Sequence, residues 1–428
     1  MRSILSALTL IIASLIAAMV FPLQAQFEPE LRQTGRAGFS AGWRTDQAEN
    51  LLHWIRRAEN EAIVFPQPIA SDLRAAIDSA DQDRLDQTAY DAALLLLLAY
   101  HGACCGTPLP ANWHISGAIT DGELRGRINA ALAADQIDLM LRANQPRHPH
   151  YRALADAYAD EPEGPRRAWL ALNLARWRSL AVPARGRYLI VNTAAQEITL
   201  WDGGTRITNW RVIVGKKATP TPVFSAEVTG VVLNPWWEIP RSIAAEGIAA
   251  FVRRNPAAAR AKGYVYSNGR YRQAPGDNNA LGRMKLVMPN RFSVFLHDTP
   301  NRELFALDQR ALSHGCVRVD HALDFAAKLL DGTDWTQARI TEVTAANITR
   351  TAGLAQPIPL FVAYFTAEPD GAGGVRELPD IYRLDGRLGR NPAQLAQSSA
   401  PSSCRDRNPR AAASPSETLR KETAPLPT

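Results

Sequence analysis

The spacing of apolar residues divides the chain into a helical part followed by a mostly β part. Between about residues 48 and 180, apolar side chains recur every three or four positions, as they do on one face of a helix; one such set is Leu51, Leu52, Ile55 and Ala58. The unbroken run Leu94–Leu98 predicts a helix that is buried on all sides, because the run is too short to cross a bilayer.

From Arg187 onwards the pattern changes to short runs rich in β-branched residues, and Asp202-Gly203-Gly204 is typical of a hairpin turn. Strands are predicted at 188–192, 197–201, 210–214, 227–233, 284–287, 293–297 and 357–366, with a helix at 322–330. Helices followed by strands predict an α+β protein, in which an N-terminal helical scaffold domain precedes a mostly β domain.

Residues 238–283 interrupt the strands with a stretch that is too long for an ordinary connection. It contains a helical pattern at 243–253 and several arginines. Trp236-Trp237 and Pro240 on one side would give it a firm base, and Gly282 on the other would serve as a hinge. We therefore predict a lid over a binding site.

The two ends of the chain have compositions unlike the rest. Residues 4–21 are almost wholly apolar behind a basic start, and the small residue Ala25 follows, which predicts a signal peptide over 1–25 and export to the periplasm. A retained anchor, with inner-membrane association through residues 4–21, is the alternative. Residues 391–428 are rich in Ala, Ser and Pro, which predicts a disordered tail. The predicted domains are a helical scaffold at 26–184, a β domain at 185–345 and a C-terminal extension packed on it at 346–390.

Charge and cysteine content narrow the function classes further. The net charge of +6 is a mild excess for 428 residues and is spread along the chain, which is typical of an ordinary basic surface; attraction to an anionic polymer such as a cell wall is the alternative. We expect no nucleic-acid partner. Four cysteines are too few for a disulfide framework. Cys104 and Cys105 are adjacent, and either could pair with Cys404. Cys316 is the cysteine with informative neighbours.

The chemistry is concentrated in Ser313-His314-Gly315-Cys316-Val317-Arg318, with His297 upstream at the end of a predicted strand. A thiol becomes a good nucleophile when a neighbouring imidazole takes its proton. Gly315 lets the backbone approach a bound carbonyl, and amides around Gly315 and Cys316 would hold the oxyanion. Arg318 offers a fixed fork for a carboxylate.

Two alternatives use the same residues. Cys316 could be an inert buried thiol, with His297 a satisfied histidine and Arg318 a surface charge. A zinc site from His297, His314, Cys316 and His321 is disfavoured, because structural zinc ligands usually come in closely spaced pairs. We therefore expect neither a metal nor a cofactor.

Several motifs resemble the L,D-transpeptidase catalytic-domain family, in its large periplasmic branch with an N-terminal helical scaffold. They are Ser313–Arg318 with His297–Pro300, Val214-Gly215-Lys216, Thr219–Pro222, Leu233–Trp237 with Ile239-Pro240-Arg241, and Gly276–Lys285; Asn173–Trp177 resembles the scaffold. The resemblance covers roughly residues 45–385. Many members also carry a peptidoglycan-binding module between the scaffold and the catalytic domain. We expect no complete module at that place, because the helical pattern runs into the β pattern by Leu180–Arg187.

The resemblance implies a peptidoglycan enzyme that makes 3→3 cross-links between tetrapeptide stems, which serve as donor and acceptor, and that is a carbapenem target. It implies Cys316 as the nucleophile and His297 as the general base and acid. Ser313, His314 and Gly315 would shape the turn and the oxyanion hole. We expect Arg318, Trp236 and Trp237 to contact the substrate.

Other functions fit the same residues. Water as acceptor would give an L,D-carboxypeptidase or endopeptidase, and the lysine of an outer-membrane lipoprotein would give a protein–wall linkage. Outside enzymes, the chain could be a wall-binding scaffold protein. The presence of both a cysteine and a histidine in the motif favours catalysis.

Overall fold

A computed structural model describes residues 42–65, 68–110, 112–115 and 119–386. The predicted signal segment 1–25, the possible anchor 4–21, the predicted tail 391–428 and Cys404 lie outside these ranges. The described residues all belong to one compact unit that begins at Ala41. None of the helices within these ranges is long and apolar enough to cross a membrane.

The N-terminal part is helical, as its apolar spacing predicts. Asp81 caps the third helix by accepting the Arg84 N–H at 3.1 Å, and Thr120 and Glu123 cap the fourth reciprocally. Leu94–Leu98 are all buried, which confirms a helix that is covered on every side. The helices are α1 (Thr45–Glu59), α2 (Ile69–Ile77), α3 (Gln82–Tyr100), α4 (Asp121–Ala133), α5 (Ile137–Asn144), α6 (Pro149–Asp160) and α7 (Pro165–Arg178).

The rest of the described chain is mostly β. Its strands, with β1 from the helical part, are β1 (Trp113–His114), β2 (Arg187–Asn192), β3 (Glu197–Asp202), β4 (Thr205–Gly215), β5 (Val223–Leu233), β6 (Trp237–Glu238), β7 (Tyr264–Ser267), β8 (Arg270–Gln273), β9 (Met284–Val287), β10 (Leu296–His297), β11 (Ala311–Ser313), β12 (Val317–Val319), β13 (Arg350–Ala363), β14 (Ala367–Pro369) and β15 (Val375–Glu377). A 3₁₀ turn at Arg302–Ala306 and two helices, Ala322–Leu329 and Gln337–Ala345, lie between them. This order confirms the predicted fold class.

The main sheet runs in the order β1-β5-β13-β2-β3-β4-β12-β10-β9, and β11 pairs with β4. Because β9 also pairs with β5, the strands from β5 round to β9 close into a ring. One apolar core lies against this sheet and takes in side chains of the helical part, among them Tyr151, Trp169 and Trp177. Strand β1 adds to this contact by pairing in parallel with β5.

The predicted C-terminal extension, residues 346–390, contributes a strand to the main sheet. Strand β13 lies inside the sheet, parallel to β2 and antiparallel to β5. The extension also reaches the helical part, where Asp385 pairs with the fully buried guanidinium of Arg176 at 2.8 Å. The sheet is therefore incomplete without this segment.

Residues 238–283 form a substructure of their own. Strands β6, β8 and β7 make a three-stranded sheet apart from the main one. The predicted helix at 243–253 is broken, since Gly247 has φ +138° inside a π-helical turn at Ala244–Ile248 and Pro256 starts a new helix. Short helices lie at Arg241–Ile243, Ala249–Arg254 and Pro256–Ala261.

Candidate active site

Strand register brings the predicted catalytic residues to one face of the sheet. Strands β10 and β12 are parallel neighbours, with Leu296 opposite Val317 and His297 opposite Arg318. Leu296 and Val317 are fully buried in the core, so His297 and Arg318 point to the other face. Continuing the register by one residue puts Cys316 opposite Phe295, on the same face as His297.

His297 is held in a defined tautomer. The residue is 5% exposed, and Nδ1 of its ring lies 2.5 Å from the carbonyl oxygen of Asp298. A carbonyl only accepts, so Nδ1 carries the proton and the lone pair of the neutral ring is on Nε2. Burial lowers the pKa of His297 to about 4, and the charges of Arg318 and Lys285 act in the same direction. Near neutral pH His297 is therefore a neutral base.

Asp298 is itself fixed by its surroundings. It is 2% exposed, and its Oδ2 accepts the Arg283 N–H at 2.8 Å and an Arg302 Nη2 hydrogen at 3.2 Å. A Cβ on Gly282 would lie 2.4 Å from the Asp298 carboxylate. Gly282, which we expected to be a hinge, is thus required for close packing against the residue that orients His297.

Cys316 is a partly buried thiol. Burial raises its pKa, while a backbone hydrogen bond from Phe295 and the charge of Arg318 oppose that rise. No hydrogen bond between Cys316 and His297 occurs in the described part of the chain. Because the pKa of the thiol is raised and that of the imidazole is lowered, both groups are neutral without substrate.

The turn before the nucleophile is held by Ser313. Its Oγ donates to the Cys316 carbonyl at 2.5 Å and accepts the Gly315 N–H at 3.0 Å, and Gly315 has φ +116°, which favours glycine. The Gly315 amide, predicted to hold an oxyanion, is thus engaged by Ser313. The Cys316 N–H has no acceptor among the described residues and is the better candidate.

Two further residues, Thr221 and Tyr382, support this turn, and the sequence did not predict that role for either. Thr221 Oγ1 donates to the Gly315 carbonyl at 2.9 Å and accepts the Gly215 N–H at 2.9 Å. Tyr382, from the C-terminal extension, donates to the Gly215 carbonyl at 2.6 Å. Thr221 lies within the quoted Thr219–Pro222 motif, but no local signal points to Tyr382.

The 238–283 segment touches the turn. His314 Nε2 lies 3.1 Å from Glu246 Oε2, and both side chains are substantially exposed. Trp236 and Trp237, predicted to contact substrate, are half-buried at the base of this segment. The guanidinium of Arg272 lies 4.5 Å from the Trp236 ring centroid, so one face of that ring is occupied.

Arg318 has no ionic partner in the described residues, and its buried Nε lacks an acceptor. An unpaired buried cation is costly, and a carboxylate ligand would offset that cost. His321, the fourth candidate zinc ligand, faces Asp320 and Asp324 instead. In the described ranges no group of three or more His, Cys, Asp or Glu is placed to hold a metal. Cys104 and Cys105 are buried.

Comparison with known proteins relates the β part of the chain to a family. Residues 186–343 match the family described as YkuD, the L,D-transpeptidase catalytic domain. This segment contains His297, Cys316 and Arg318. Residues 186–343 are therefore similar to the L,D-transpeptidase catalytic domain.

A curated Haemophilus influenzae protein with the provisional name L,D-transpeptidase is 33% identical over 240 residues, which cover 51% of this chain and 48% of that protein. The match thus spans about half the length of this relative. An L,D-transpeptidase structure from Mycobacterium smegmatis has 14% identity and a TM-score of 0.23, and covers 41% of this chain and 58% of that one. The structure of L,D-transpeptidase 3 from Mycobacterium tuberculosis in complex with a faropenem-derived adduct has 13% identity and a TM-score of 0.22. The match covers 42% of this chain and 60% of that one.

Proposed function

We propose that the protein is a periplasmic L,D-transpeptidase that cross-links peptidoglycan through a thioester on Cys316. The observation that carries the proposal is the bond from His297 Nδ1 to the Asp298 carbonyl. This bond leaves Nε2 as the base on the sheet face that bears Cys316. An inert buried thiol would have no need of a histidine held in that tautomer.

Acylation begins with both reacting groups neutral. As Cys316 Sγ attacks the carbonyl carbon of the stem's third residue, His297 Nε2 takes the thiol proton. The Cys316 N–H stabilises the oxyanion. When the intermediate collapses, His297 returns the proton to the amine of the terminal D-alanine, which leaves.

Deacylation repeats these steps with a new nucleophile. The side-chain amine of a second stem attacks the thioester carbon and gives a proton to His297 Nε2. The C–S bond breaks, the thiol regains its proton and a 3→3 cross-link is left. Arg318, which lacks an acidic partner, would bind the carboxylate of the acylated diamino acid.

The 238–283 segment would act as a lid that favours the amine over water. Its Glu246 reaches His314 in the nucleophile turn. A pair this exposed contributes about 0–1 kcal/mol, so breaking it costs little and the lid can open.

Mass analysis of products from purified disaccharide-tetrapeptide tests the proposal. We expect cross-linked dimers that have lost one D-alanine. Tripeptides alone would indicate a carboxypeptidase, and a stem joined to a lysine, formed only when a lipoprotein lysine is supplied, would indicate wall attachment. Unchanged substrate would favour a scaffold protein and contradict the proposal.

A further inference from the structure

Lys285 lies next to the candidate base, on the side away from Cys316. It is in β9, directly opposite His297, while Arg318 is opposite His297 on the other neighbour, β12. In β9 the flanking Met284 and Leu286 are buried in the core, whereas Lys285 is half-buried on the catalytic face. His297 therefore lies between two cations, each about 5 Å away at the backbone.

The ammonium group of Lys285 makes no ion pair within the described part of the chain. Its Nζ lies 4.9 Å from the centroid of the Phe295 ring, so part of its surroundings is apolar. Asp298, the acid adjacent to His297 in sequence, is already bonded to the Arg283 amide and to Arg302. By contrast, Arg283, two residues before Lys285, forms an ion pair with Asp277.

The chemistry of the donor stem predicts different partners for Arg318 and Lys285. The acyl half stays bonded to Cys316, which immediately precedes β12, the strand that contains Arg318. The leaving amine must lie at His297 Nε2, which protonates it. The leaving residue therefore extends across His297 towards β9, where Lys285 is located.

We propose that Lys285 binds the terminal carboxylate of the leaving D-alanine and makes a free carboxylate a requirement for the donor. The inference rests on the proposed function, since it needs a donor stem at Cys316. It adds a specificity residue on the leaving-group side. A charge-assisted hydrogen bond in a partly buried site supports a preference of about 10- to 100-fold for the acid over its amide.

Binding to the Cys316→Ala protein measures this preference without turnover. Calorimetry would compare a tetrapeptide that ends in D-alanine with the same peptide ending in D-alaninamide. We expect the acid to bind at least about tenfold more tightly. Adding Lys285→Met, which keeps the apolar stem over Phe295, should abolish the difference by weakening acid binding alone, and Lys285→Arg should restore it.

Two controls separate this role from packing. Lys328→Met removes a lysine that pairs with Asp331 on a helix and should leave the preference intact. Arg318→Met should weaken both ligands and keep the preference for the acid. Equal loss of both ligands in Lys285→Met, or a preference that disappears with Arg318 instead, would overturn the inference.

Measuring D-alanine release by the protein with Cys316 intact distinguishes failure of the proposed function from failure of the Lys285 inference. If no D-alanine is released but the Lys285-dependent preference is measured, catalysis is wrong and the subsite stands. If D-alanine is released and Lys285→Met still prefers the acid, the subsite is wrong and catalysis stands.

Discussion

Gly282 connects the 238–283 segment to the catalytic base, and replacing it should disturb both stability and chemistry. Its φ is +60°, and a Cβ would lie 2.4 Å from Cγ and Oδ2 and 2.6 Å from Cβ of Asp298. Gly282→Ala must therefore displace Asp298. That movement would release the carbonyl that bonds His297 Nδ1.

The free-energy cost has two parts. A left-handed backbone costs a residue with a side chain about 1–2 kcal/mol. Forcing a methyl into a packed site costs about 1–3 kcal/mol more. We expect Gly282→Ala to lower the free energy of unfolding by about 2–5 kcal/mol, and to slow acylation of Cys316 at least about tenfold because the base is misplaced.

Denaturant unfolding and the rate of carbapenem acylation would measure the two effects. Gly186 has φ +85°, and no atom lies within 4 Å of the position that an added methyl would occupy, so Gly186→Ala isolates the backbone term. Gly126, inside α4 and equally open, should become more stable by about 0.5–1 kcal/mol as alanine. If Gly282→Ala matches Gly186→Ala in stability and acylates at the normal rate, the packing argument fails.

Four further predictions concern the nucleophile turn, the 238–283 segment and His297. Thr221→Val removes the donor to the Gly315 carbonyl and leaves the Gly215 N–H without an acceptor. It should lower the free energy of unfolding, measured with denaturant, by about 1–3 kcal/mol and should slow acylation of Cys316. Thr341 is exposed, so Thr341→Val should change neither the stability nor the acylation rate. Replacing 245–275 with a short Gly-Ser linker should reduce cross-linking more than acylation by a small β-lactam, and equal loss of both, or no loss, would contradict a lid. Because the pKa of His297 is lowered to about 4, the acid limb of acylation should lie near pH 4; a limb at pH 6.5 or above would contradict its burial as a neutral base. Because the pKa of His297 is lower in the folded protein than its unfolded value of about 6.5, His297 favours the folded state above pH 6.5, and this stabilisation is lost as the pH falls towards 4. In His297→Gln, the free energy of unfolding should not show this loss between pH 6.5 and 4.

Local patterns predicted the fold class and the motif because both depend on neighbours in sequence. Helical spacing identified the scaffold helices, including the buried Leu94–Leu98 run. The Ser313–Arg318 string and His297 were recognised by residue type alone. Their shared face depends on the parallel register of β10 and β12, which no local pattern specifies.

Features that need distant pairing were missed. Strand β13 was detected near 357–366, but its place between β2 and β5 follows from pairing across more than a hundred residues. Tyr382 reaches the nucleophile turn through the same long-range packing. The hairpin of β7 and β8 could have been found, since Asn268-Gly269 is a strong turn signal and both residues have positive φ.

Some functional roles depend on atoms that sequence does not reveal. The prediction that the Gly315 amide holds the oxyanion followed from its position, whereas the Ser313 side chain takes that hydrogen. The partner of His297 is a backbone carbonyl, which has no sequence signature. Lys285 was noted only as the end of a motif, because its place opposite His297 is set by strand register.

The central claim is that the donor stem becomes a thioester on Cys316 with His297 as base. Intact-mass measurement after brief incubation with tetrapeptide donor, followed by peptide mapping, tests it most directly. We predict an adduct equal to the donor minus D-alanine on the peptide that contains Cys316, absent in Cys316→Ala, much slower in His297→Gln, and unaffected by substituting Cys104 or Cys105. An adduct that persists in Cys316→Ala, or D-alanine release near the normal rate in that variant, would contradict the account.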